Sequence, residues 1–151
     1  MNEPSPVFFT IKPNLAGGRI FFYFGPWDRM AALRDWYLSH GLSDIHHQIK
    51  DHSTDGRPDV DVFSGQVFDP HPGFPLLCMQ AIPHTPYEIG VLVHEIHHAV
   101  QRWTGALGIF TCRDSEEIFA YTEGALAAAV LDYLWHRIAI PGLEPGTEPT
   151  P

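Results

Sequence analysis

His94-Glu95-Ile96-His97-His98 is an HExxH pentad within a chain of 151 residues. On a helix, residues four apart lie about 40° apart around the axis, so His94 and His98 project from one face. Two neutral imidazoles on adjacent turns can grip one divalent metal, and the glutamate between them can act as base toward a metal-bound water. That chemistry is zinc-dependent hydrolysis, with peptides as the first substrate class to consider, and it requires a third protein ligand. The pentad alone also fits a helix that carries a few histidines on a partly buried face. The flanking residues must decide.

They favour the metal. Thr85-Pro86-Tyr87-Glu88 has the form of a capping box with proline at the first helical position, which predicts a helix starting at 86. Leu92, Ile96, Ala99 and Trp103 fall on the side opposite His94 and His98, with Val93 and Val100 beside them. Gly90, Val91 and Gln101 on the histidine side leave room for a cleft. A second helix is expected from Asp114-Ser115-Glu116-Glu117 to about His136, with Ile118, Tyr121, Thr122, Ala125, Ala129 and Tyr133 near one face. Ala125, Ala127, Ala128 and Ala129 would allow it to approach a neighbouring helix closely.

Upstream, the aromatic and β-branched runs Val7–Ile11 and Arg19–Phe24 read as strands, separated by the Gly17-Gly18 turn. A helix over 26–39 follows, with Gly41 behind its last residues and Met30, Leu33, Tyr37 and Leu38 as its buried stripe. Val60–Val67 offers a strand weakened by Gly65, and Leu76–Ile82 a strand leading into the HExxH helix. The expected class is α+β: a small N-terminal sheet with one helix, then the HExxH helix and a glutamate-bearing helix. Residues 1–140 form one domain in this reading. Residues 141–151 are a Pro-rich tail with no core-forming residue beyond Leu143.

The candidates for the third ligand are Glu116 and Glu117, which stand 18 and 19 residues after His98, with Asp114 as a further possibility. A purely structural role competes, because Asp114 and Glu117 fit an N-cap and N3 pair and acidic residues suit a first turn. Glu117, followed by Tyr121 four positions on and Gly124 seven on, resembles the pattern of the gluzincin metallopeptidases across residues 85–135. Among these the chain is most similar to the compact minigluzincins and the small HExxH proteins of phages and mobile elements. The resemblance implies a zincin-like fold, Zn2+ as cofactor, and Glu117 as the third ligand beside His94 and His98. Tyr121 stands where an acidic residue is usual. It would accept a histidine N–H or point at the substrate oxyanion. The resemblance further implies that the strand before the active-site helix, here Leu76–Ile82, pairs with an extended peptide substrate.

Composition narrows the alternatives. A hydrophobic fraction of 44% with 13% aromatics marks a folded chain rather than a disordered one. A net charge of −9 with only 9 basic residues, none in a run, argues against binding nucleic-acid phosphates. No apolar stretch has the length of a membrane span, and the first residues lack the basic start and apolar run of a signal peptide, so a cytoplasmic location is expected. Cys78 and Cys112 read as two buried free thiols. Asp51–Gly56 imitates the start of an EF-hand loop, but Val62 occupies the position of the bidentate glutamate, which leaves a polar turn. His46, His47 and His52 read as loop histidines, and His71 and His84 as loop residues near the cleft. His97 reads as a supporting or packing residue, and His136 as a residue suited to its helix dipole. The expected function is peptide-bond hydrolysis with Glu95 as general base. The rivals are a non-catalytic zinc-binding structural or regulatory module and a protease selective for one partner. The presence of Glu95 counts against the first rival, since metal binding alone does not need it.

Overall fold

The computed structural model describes residues 6–13, 17–26, 35, 38–39, 41, 65–69 and 72–137. The tail at 141–151, residues 60–64, the EF-hand-like turn and His46, His47, His52 and His71 lie outside them. So does the helix expected over 26–39, apart from Pro26, which is not helical, and Asp35, Leu38 and Ser39, which are.

Four strands make one sheet: β1 (Val7–Ile11), β2 (Ile20–Phe24), β3 (Gly65–Phe68) and β4 (Leu76–Met79). Their order is β1-β2-β4-β3, antiparallel at both outer pairings and parallel between β2 and β4. Every residue of β2 and β4 is buried. Continuous apolar runs such as Ile-Phe-Phe-Tyr-Phe and Leu-Leu-Cys-Met suit a central parallel pair, which is covered on both faces. Successive side chains alternate between those faces. Ile20, Phe22, Phe24, Leu77 and Met79 join the core shared with the helices, while Phe21 turns the other way toward Phe8 and Phe74.

Two helices cover one face: α1 (Pro86–Ala106) and α2 (Glu116–Arg137). The fold is α+β, as expected. The capping box at the start of α1 is present in full, with the Thr85 side chain accepting from Glu88 N–H and the Glu88 carboxylate accepting from Thr85 N–H. Leu92, Ile96, Ala99, Val100 and Trp103 form the buried stripe of α1. Val93, expected beside it, is 47% exposed. The C-terminal half of α1 is anchored to the turn before β2, where Trp103 Nε1 donates to Gly17 O at 3.0 Å. Gly18 there has φ +64, and a Cβ on it would run into the Gly73 carbonyl, so only glycine suits both the backbone and the approach. Arg19 N–H donates to that same carbonyl at 3.1 Å.

On α2 the buried residues are Phe119, Leu126, Val130 and Leu134. The face expected from periodicity, with Ile118, Tyr121, Thr122, Ala125 and Ala129, instead borders a cavity of about 510 Å³ beside Ile11, Lys12 and Pro13. Tyr133 is the exception and stacks on Phe9 of β1 at 3.9 Å between ring centroids. The difference has a simple cause. Apolar residues run around most of α2, so spacing alone could not select the side that packs.

Candidate functional site

The registration of α1 against the sheet decides where the pentad points. With Leu92, Ile96, Ala99 and Trp103 directed into the core, His94 and His98 emerge on the opposite side, His94 exposed and His98 partly so. Their Nε2 atoms are 3.2 Å apart, with the rings edge-on at 4.7 Å between centroids. Two nitrogens bound to one tetrahedral zinc at about 2.0–2.1 Å each lie about 3.3–3.4 Å apart. The pair therefore has the separation that a shared metal requires. Gly90, one turn earlier, has open space where a side chain would stand.

Glu95 is about 100° around the helix from His94, on the flank that faces β3. It is only 8% exposed. No hydrogen bond or ion pair reaches its carboxylate among the described residues. Burying a carboxylate is costly, and no contact among the described residues offsets that cost. The opposite flank of α1 faces α2. There His97 Nδ1 lies 2.5 Å from Glu123 Oε1. A carboxylate can only accept, so the imidazole Nδ1–H donates, and this bond ties the two helices together.

The acidic candidates on α2 stand differently from expectation. Glu117 is exposed in the first turn of α2, and Tyr121 is 76% exposed. At about 100° per residue both lie on the far side of α2 from Phe119 and Val130, whereas Glu116 and Glu123 share the flank that meets α1. Among the described residues no three His, Cys, Asp or Glu side chains stand close enough to hold a metal. This conformation brings His94 and His98 together and leaves Glu117, Glu116 and Asp114 apart from them. The Asp114–Glu117 capping pair is not formed either. Ser115 precedes the helix, its carbonyl accepting from Phe119 N–H and its hydroxyl donating to Phe110 O at 2.6 Å.

β4 is hydrogen-bonded on both sides, to β2 and to β3, so it has no edge for an extended peptide. The substrate-pairing role assigned to Leu76–Ile82 is corrected on that ground, and β3 is the outermost described strand next to α1. His84 lies in the capping turn, where its backbone N–H donates to Glu88 Oε2 at 2.6 Å. His136 pairs with Asp132 one turn earlier, at 3.1 Å. Cys78 is buried as expected, whereas Cys112 is exposed because it lies in the turn before α2.

Two residues of interest were missed in the sequence. Glu123 escaped because His97 had no assigned partner. Gly65 was read as a weakness of its strand, although an isolated glycine in a strand also signals a close approach by another group. Among the described residues no helix is long and apolar enough to cross a membrane. Comparison with protein-family models, curated proteins and solved structures finds no match for this chain.

Proposed function

We propose that this chain is a zinc-dependent peptidase, of the gluzincin type that its second half resembles, in which His94 and His98 hold the metal and Glu95 is the general base. The observation that carries the reading is the convergence of the two Nε2 atoms at 3.2 Å beside a buried carboxylate that has no hydrogen-bond or ion-pair partner among the described residues. Zinc held there supplies a positive charge that polarises a carbonyl and lowers the pKa of water to about 7. Glu95 takes a proton from water on a carboxylate oxygen and returns it to the departing amine nitrogen, so the peptide C–N bond breaks as the new C–O bond forms. The proposed third ligand is Glu117, which would join the pair by a rearrangement at the start of α2. Tyr121, one turn further along the same exposed face, would then come within reach of the substrate oxyanion.

Zinc titration of the intact chain tests the ligand set. Loss of binding by more than about 100-fold in His94→Ala and in His98→Ala is expected, because removing even a supporting partner costs about 10–100-fold. Parallel titrations of Glu117→Ala, Glu116→Ala and Glu123→Ala identify the third ligand, and only the first should match the histidine variants. Glu95→Gln should keep its zinc and lose about 10²–10⁴ in kcat. Incubating the zinc-loaded chain with a mixture of cellular proteins and mapping new termini reads the activity. Zinc binding with no new termini at all would favour the non-catalytic module instead.

A further inference from the structure

β3 enters the sheet at a residue without a side chain, directly beside the carboxylate that the proposed function employs. Gly65 pairs with Met79, so a Cβ at position 65 would point to the face where Met79 meets the helices. That Cβ would stand 2.5 Å from Glu95 Cγ and 3.3 Å from Glu95 Cδ. Carbon atoms in contact prefer about 3.5–4.0 Å, so a side chain at 65 and the present Glu95 side chain compete for one space. Gly65 is not among the glycines with positive φ, so its backbone raises no objection to alanine. Its next contact, Cys78 O at 3.5 Å, is ordinary. Among the described residues the conflict is with Glu95 alone.

We infer that Gly65 is a positioning residue for Glu95, its missing side chain leaving the slot between β3 and α1 in which the carboxylate is held. Any Cβ there forces Glu95 into another rotamer or lifts β3 from α1. The first displaces the carboxylate, and a misplacement of about 1 Å can cost about 10²-fold in rate; the second removes the wall that holds it. The slot follows from packing, whereas its catalytic consequence rests on the proposed role of Glu95 as base.

A double-mutant cycle in thermal unfolding tests the slot without reference to activity. Gly65→Ala should lower the melting temperature of the intact chain by several degrees (about 2–4 °C for each 1 kcal/mol in a domain of this size). In a Glu95→Ala background the clashing Cγ is gone, and the same substitution should leave the melting temperature unchanged or raise it. If Gly65→Ala alone does not fold, recovery of folded protein in Gly65→Ala/Glu95→Ala supports the slot, and failure of both overturns it. An equal loss in both backgrounds also overturns it. Kinetics of the zinc-loaded protein then test positioning. Gly65→Ala should retain zinc, hold KM within about twofold and lose about 10–100-fold in kcat, with no further loss when added to Glu95→Gln. Full kcat in Gly65→Ala overturns the positioning role. Full activity in Glu95→Gln would instead remove the general base itself, and the thermal cycle would still decide the slot.

Discussion

α1 and α2 are nearly equal in length, 21 and 22 residues, and lie on the same face of one sheet, yet they constrain their side chains in different ways. α1 has a full capping box, an apolar stripe on one side, and Trp103 hydrogen-bonded to the turn before β2. The capping box fixes where the helix starts, and the stripe and the Trp103 bond fix its rotation, so the direction of His94 and His98 follows from where Leu92, Ile96 and Trp103 must go. α2 starts from a serine whose hydroxyl is turned back into the preceding turn, and apolar residues surround most of it. Its rotation is settled by Phe119, Val130 and Leu134 against the sheet and by Glu123 against His97. A chemical motif is informative in proportion to how firmly the rest of its helix is oriented.

The most forceful way to break this comparison is to substitute the two faces of α2. Phe119→Ala should destabilise the chain by about 3–5 kcal/mol, the usual range for a buried phenylalanine. Tyr121→Ala, on the exposed face, should change stability by no more than about 0.5 kcal/mol. Denaturant unfolding of both variants checks the rotation directly. Comparable losses would mean that α2 buries the face expected from its periodicity, and the contrast with α1 would fall.

What could be read in advance follows the same division. β1 begins and ends where its Val-Phe-Phe-Thr-Ile run does, and β2 starts one residue later than expected, at Ile20. The start of α1 was legible because Thr85, Pro86 and Glu88 each restrict the backbone locally and agree with one another. The buried side of α2 was not, because near-uniform apolarity is compatible with several rotations. β4 was legible as a strand but not as an internal one, since pairing on both sides is a long-range property of the sheet. On the site, His94 and His98 are placed by α1 alone, and Glu95 by α1 together with the space beside Gly65. Any contribution from Glu117 depends on α2, and there the sequence pattern and the packed conformation differ.

The helix starts give a smaller but sharper contrast. Thr85→Ala removes a side-chain acceptor from Glu88 N–H and should cost about 1 kcal/mol. Asp114→Ala removes no such bond and should stay within about 0.5 kcal/mol. Ser115→Ala should cost about 1 kcal/mol, because its buried hydroxyl links Phe110 O and Cys112 N–H across the turn. Chemical denaturation resolves these differences. A loss at Asp114 equal to that at Thr85 would show that the two helices are capped alike.

The gentlest probe leaves stability aside and uses the two thiols. Cys78 lies within β4, where burial pushes its thiol up and hinders thiolate formation. Cys112 lies exposed before α2, where the Ser115 hydroxyl first, 3.4 Å from the sulfur and able to turn its one proton from Phe110 O to a thiolate, and then the backbone N–H groups of Asp114 and Ser115 lower the pKa. Alkylation requires the thiolate, so the rate at Cys112 should rise at lower pH than for an ordinary cysteine. In Ser115→Ala the largest of those supports is gone, the pKa returns upward, and at any pH below it the thiolate fraction and the rate both fall. Cys78 should react only as the chain unfolds. Iodoacetamide labelling read by peptide mass across a pH series measures all three. An unchanged pH profile in Ser115→Ala would detach the serine from the thiol and loosen the start of α2, whereas labelling of Cys78 at the rate of Cys112 would mean that the centre of the sheet is as open as that turn.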